Sequence, residues 1–176
     1  PADVRDTVFM VTKNIIRDDD RWLYLPSLDL VRRISAGDKR TSFVGSHFFY
    51  EDVSGRQPTE DDHRLVETTE SHYVVESVPK DQATADFASY RVMINKDHFL
   101  PHKIEYADES GQVYRTVEAL DIQDIEGFPT VMRSQVSDLR SGGNTVMEFG
   151  FVSYNIGIPA DVFSERSLRR QPRDWL

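Results

Sequence analysis

Apolar and polar positions alternate along most of this chain with a period of two, the spacing of strands rather than helices. Thr7 to Ile16 (TVFMVTKNII) is β-branched and apolar and predicts a first strand. Asp18-Asp19-Asp20 is a polar turn, so this strand and Trp22-Leu23-Tyr24-Leu25 are expected to form a hairpin. Side chains alternate along a strand, which puts Trp22 and Tyr24 on one face. Pro26 ends that run because it has no N–H to give to a ladder. Leu28 to Ser35 predicts a half-exposed strand, since Leu28, Leu30 and Ile34 share their side with Arg32. A Gly-containing turn, Ala36 to Arg40, then leads to Phe43-Val44-Gly45-Ser46 and Phe48-Phe49-Tyr50.

Pro58 to Asp62 resembles a short helix start, and Leu65–Thr69 and His72–Val78 predict two strands around a polar turn. Asp81 to Ala88 reads as a helical turn or loop. Five further strands are expected: Tyr90–Asn95, His102–Tyr106, Val113–Ile122, Thr130–Leu139 and Thr145–Tyr154. The breaks between them are Lys96-Asp97, Asp108 to Gly111, Glu126-Gly127 and Ser141 to Asn144, all turn-forming. On the last strand Met147, Phe149 and Phe151 share a side. Ala160 to Leu168, after Pro159, predicts a short terminal helix docked by Val162, Phe163 and Leu168. No long helical period interrupts the strands, which argues against a parallel βαβ sheet. The expectation is a mainly β protein: a single curved antiparallel sheet, or half-open β-barrel, with short helices.

The chain has 176 residues, 39% hydrophobic and 29% charged, which fits one globular domain over residues 1–176. No apolar run approaches the roughly 20 residues that span a bilayer as a helix. There is no cysteine, so disulfides, Cys-ligated zinc and thiol catalysis are excluded. The net charge of −9 argues against nucleic acid, which is normally met by a basic surface. The C-terminal arginines Arg166, Arg169, Arg170 and Arg173 read as a solvated segment.

Candidate chemistry is sparse. His98 and His102 are four apart, but Pro101 lies between them in a turn, so no metal site is expected. Ser46 lacks a nucleophile elbow, and neighbouring His47 points to the opposite face of an extended chain. Glu60, Asp61 and Asp62 read as solvated loop. No phosphate-cradling loop is present, and no catalytic residue or cofactor is expected. The aromatic and apolar positions point elsewhere. Each ring has roughly 150–250 Å² to hide from water, and the short helical pieces are too few to cover one whole face of such a sheet. An uncovered apolar hollow can hold an acyl chain.

The run Trp22-Leu23-Tyr24-Leu25-Pro26, with Val31-Arg32-Arg33-Ile34 and Gly45-Ser46 leading to Phe48, Tyr50, Glu51 and Asp52, resembles the LolA-like family of outer membrane lipoprotein-sorting proteins. Asp3-Val4-Arg5 and Pro159-Ala160-Asp161-Val162-Phe163 fit the same pattern. The resemblance implies that residues 1–176 match the C-terminal two-thirds of the family pattern, after a signal segment, an N-terminal helix and the first strands. It implies a periplasmic carrier whose concave apolar side binds lipid or lipoprotein acyl chains, received from an inner-membrane exporter and passed to an outer-membrane acceptor. It brings no catalytic signature. The residues expected to line the hollow are Trp22, Tyr24, Phe48, Tyr106, Phe149 and Phe151, with Arg32 and Arg33 toward a headgroup or partner. The rival is an interaction module whose exposed edge, near Thr7 to Ile16, or apolar face docks a partner such as a membrane exporter; an edge-strand homodimer could arise the same way. A hydrolase ranks third.

Overall fold

In a computed structural model, residues 4–170 are described; Asp3 and Arg173 of the motifs above lie outside them. The chain is mainly β and antiparallel, as expected, and among the described residues neither of its sheets closes on itself. The strands fall into a three-stranded and a seven-stranded sheet, in two compact units.

The first unit holds β1 (Val8–Thr12), β2 (Asp20–Leu25) and β3 (Leu30–Ile34), in that order across the sheet. The expected hairpin is present, with Met10 opposite Trp22. Its first strand stops at Thr12 rather than Ile16, because buried Asp19 accepts from the Asn14 N–H at 3.0 Å and from the Lys13 ammonium. Leu23 and Ile34 form the core with Tyr50, flanked by Phe9, Leu25, Phe43 and Val44. Tyr50 begins α1 (Tyr50–Ser54), a helix absent from the sequence reading. The Asp52 carboxylate accepts the Phe49 N–H at 2.6 Å and starts it. On the terminal segment, α2 (Glu165–Arg169) packs on β1 and β2 and buries Leu168. Phe163, expected to help dock this helix, is exposed, and Val162 is half-buried.

The second unit runs β4 (Asp61–Thr68), β5 (His72–Pro79), β6 (Ser89–Asn95), β7 (Pro101–Ala107), β8 (Val113–Ile125), β9 (Phe128–Asp138) and β10 (Asn144–Glu148). Each strand pairs with its sequence neighbour, leaving β4 and β10 as edges. Here β10 is shorter than expected. The Phe149 N–H still donates to the Met132 carbonyl at 2.9 Å, but farther on the chain is held by side chains: the Tyr154 N–H donates to Glu126 at 3.2 Å, and the Tyr154 hydroxyl pairs with Thr130 at 2.6 Å. Bulges near Ala119 and Asp121 shift the β8–β9 register, so the simple alternation of side chains along β8 breaks there.

Candidate functional site

Residues directly opposite one another in an antiparallel ladder share a face. Tracing that register across the second unit gives one continuous line: Leu65, Val75, Val92, Ile104, Val117 and Val136, one residue from each of β4 to β9. The line ends at Thr145 on β10. The next row on the same face is His63, Ser77, Tyr90, Tyr106, Arg115 and Asp138.

The opposite face has a different chemistry. Its two central rows contain Arg64, Glu76, Arg91, Glu105 and Lys103, Glu118, Gln135. Arg64 meets Glu76 at 2.6 Å, and Lys103 bridges Glu105 at 3.0 Å and Glu118 at 3.3 Å. Such exposed pairs add little stability one by one. Val74, Met93 and Thr116 interrupt these charges, and Val74 and Thr116 are buried, so the aliphatic row marks the more apolar of the two faces.

That face is covered in part, at two places. Gly45–Phe48 crosses it beside β10: the His47 N–H donates to the Thr145 hydroxyl at 3.1 Å, His47 Nδ1 lies 2.8 Å from it, and Arg115 donates to the His47 carbonyl at 3.2 Å. The His47 ring sits against Gly143, where an added Cβ would approach Nε2 to 2.4 Å. Phe48 is buried, and Val136, next to Thr145 in the ladder, has no exposure at all. Phe87 closes a second part, edge-on to Tyr90 and Tyr106 with centroids 5.5 and 5.1 Å away. Val75, Val92, Ile104 and Val117 stay half-buried, and Leu65 is 57% exposed.

A buried polar knot borders the aromatic row. The Arg56 guanidinium forks onto Asp61 at 2.7 and 2.6 Å and lies 5.4 Å from the Phe87 ring. The Tyr90 hydroxyl donates to the same carboxylate at 2.6 Å. Burial raises the Asp61 carboxyl, but the bonds from Arg56 and Tyr90 outweigh it and hold the group below the usual carboxylate range. Burial, then the Asp61 anion, push the Tyr90 phenol well above its ordinary value. Every charge in the knot is paired, which makes it a brace for the aromatic row rather than reactive machinery.

Of the residues expected to line a hollow, Tyr106 lies on this face, and Phe48 is buried in the same unit. Phe149 and Phe151 lie past the end of β10 and are 50% and 84% exposed. Trp22 and Tyr24 belong to the first unit, where they do share a face; Arg33 lies over the Trp22 ring and Arg169 over the Tyr24 ring. Arg32 pairs loosely with Asp38 at 3.9 Å, and Arg33 pairs with Asp20 on the border of a pocket of about 500 Å³ shared with Arg17 and Asp18. The aliphatic row itself was missed. Each of its members was visible as an apolar strand position, but only the inter-strand register lines them up.

Residues 1–170 match the model of a protein family described as "Uncharacterized protein". No curated protein matches the chain by sequence. Among solved structures, a domain from Vibrio parahaemolyticus described as an outer membrane lipoprotein-sorting protein is 27% identical, with a TM-score of 0.83 over 97% of this chain and 74% of that one. A DUF1329 family protein from Desulfovibrio piger is 29% identical, with a TM-score of 0.82 over 96% and 73%. A LolA superfamily protein from Nitrosomonas europaea, at 19% identity and a TM-score of 0.54 over 84% and 67%, shares the fold. The chain therefore belongs to the family whose model spans residues 1–170, and it has the fold of these outer membrane lipoprotein-sorting, DUF1329 and LolA superfamily structures.

Proposed function

We propose that this protein is a periplasmic carrier that binds acyl chains of a lipid or lipoprotein against the apolar face of its seven-stranded sheet. The observation that supports this most is the line Leu65–Val75–Val92–Ile104–Val117–Val136, most of it half-buried and backed by a more polar face. Ordinary core packing buries such a row; here only its β9 end is sealed. Removing a methylene from water yields about 0.8 kcal/mol, so an acyl chain laid along this row gains from each strand it crosses. The carrier would take its cargo from an inner-membrane exporter and deliver it to an outer-membrane acceptor, consistent with the sorting role described for the Vibrio relative.

Mass spectrometry of an organic extract of the purified protein tests the reading. Co-purifying fatty acid or phospholipid, displaced by a fluorescent fatty acid, is the expected result. A protein that extracts clean and leaves the fluorescent fatty acid in solution contradicts it. The docking alternative keeps one supporting observation, since β1 is an edge of its sheet; capture of one envelope protein by lipid-free material would favour it.

A further inference from the structure

The loop between β1 and β2 ends in Ile15 and Ile16, which are 93% and 98% exposed, the most exposed large apolar side chains among the described residues. The exposure is built in, because the loop is held from below. Asp19, 4% exposed, accepts from the Asn14 N–H at 3.0 Å and from Lys13. The Asn14 amide donates to the Thr12 and Asp18 carbonyls, both at 3.2 Å. Lys13 also reaches the Ser54 carbonyl at the end of α1, at 3.0 Å. With so many bonds anchoring its stem, the loop cannot fold the two isoleucines inward without breaking several of them.

Lys13 and Arg17 flank the pair, and their side chains are 56% and 62% exposed. Each also meets an aspartate on the inner side, Asp19 and Asp20. The apex is therefore two aliphatic side chains collared by two cations. A specific protein interface needs roughly 800 Å² from each partner, far more than an apex two residues wide presents. A bilayer takes a narrow wedge of any shape, with the aliphatic tip below the headgroups and the cations level with their phosphates.

We propose that the Ile15-Ile16 apex inserts into the interface of an anionic phospholipid bilayer and docks the protein there reversibly. This deepens the carrier reading and rests on it for the reason to visit a membrane. Two side chains give weak, reversible attachment of the order of a single lipid anchor. The net charge of −9 works against tighter adhesion, as release requires.

Flotation with vesicles of phosphatidylethanolamine and phosphatidylglycerol tests it. The protein is expected to float, and the I15S/I16S double variant to lose roughly tenfold or more of its partition. The chain has no cysteine, so Ile16→Cys accepts a polarity-sensitive dye at the apex alone, and its emission is expected to shift blue on those vesicles. Equal flotation of protein and double variant, no flotation, or an unshifted dye overturns the proposal. So does a dye that responds only to an added envelope protein, which would make the apex a protein-docking site. Fluorescent fatty acid binding, measured alongside, separates the two readings. Binding kept by a double variant that no longer floats isolates the apex, whereas flotation without any fatty acid binding defeats the carrier reading and leaves the apex standing.

Discussion

Replacing Ile104 by Asp puts a carboxylate in the middle of the aliphatic row, between Val92 and Val117. Neighbouring strands lie about 4.8 Å apart, so an acyl chain crossing the sheet spends about four methylenes on each strand. One side of the chain faces the sheet. Half of about 0.8 kcal/mol for each of four methylenes is about 1.6 kcal/mol, or roughly a fifteenfold loss of affinity for one strand. The carboxylate must also keep its water, since burying it unpaired costs several kcal/mol. Contact with β6 and β8 goes as well, which brings the loss to about three thousandfold if all three strands contribute alike. Met93→Asp is the control: it places the same charge on half-buried β6, on the opposite face, beside Lys103. Displacement of a fluorescent fatty acid measures affinity, thermal unfolding confirms that each variant folds, and Ile104→Thr serves if the aspartate does not. Folded I104D that binds as tightly as the parent refutes the reasoning, as does equal loss in M93D.

Three further outcomes follow from the packing. Tyr90→Phe removes a bond of 2.6 Å to a buried carboxylate and should lower stability by about 2 kcal/mol in urea unfolding; no change would mean that the knot does not brace the sheet. Asp61 has its carboxyl lowered in the fold, so its contribution to stability is present above the unfolded carboxylate value and is lost as pH falls through the lower folded value. Acid unfolding should therefore flatten in Asp61→Asn, and an unchanged pH profile would contradict the pairing. Leu168→Ala empties the site that docks α2 on β1 and β2, at a cost of about 2–5 kcal/mol; limited proteolysis should then cut near α2 first, and unchanged resistance would argue against the docking.

Much of the architecture was legible in single strands. The β5 to β9 segments, their turns and the β1–β2 hairpin follow from alternation, Gly and Asp-rich turns and Pro26. The ends of elements were less so, because side-chain bonds that are distant or polar decide them: Asp19 stops β1 at Thr12, and Glu126 and Thr130 hold Ser153 and Tyr154 away from the ladder. The choice of Phe149 and Phe151 as lining followed from extending β10 too far. The row from Leu65 to Val136 depends on the registers of successive neighbouring strands holding together, bulges included, so an error at any one turn or bulge breaks the line. The strap at His47 rests on bonds to Thr145 and Arg115, invisible from the run Gly45-Ser46-His47.

A photoactivatable fatty acid, cross-linked to the purified protein and mapped by peptide mass spectrometry, asks the central question most directly. Labels on Val75, Val92, Ile104 or Val117 are the predicted result. Labels confined to the face of Glu76, Arg91 and Glu105, or none above an unfolded control, would contradict the account.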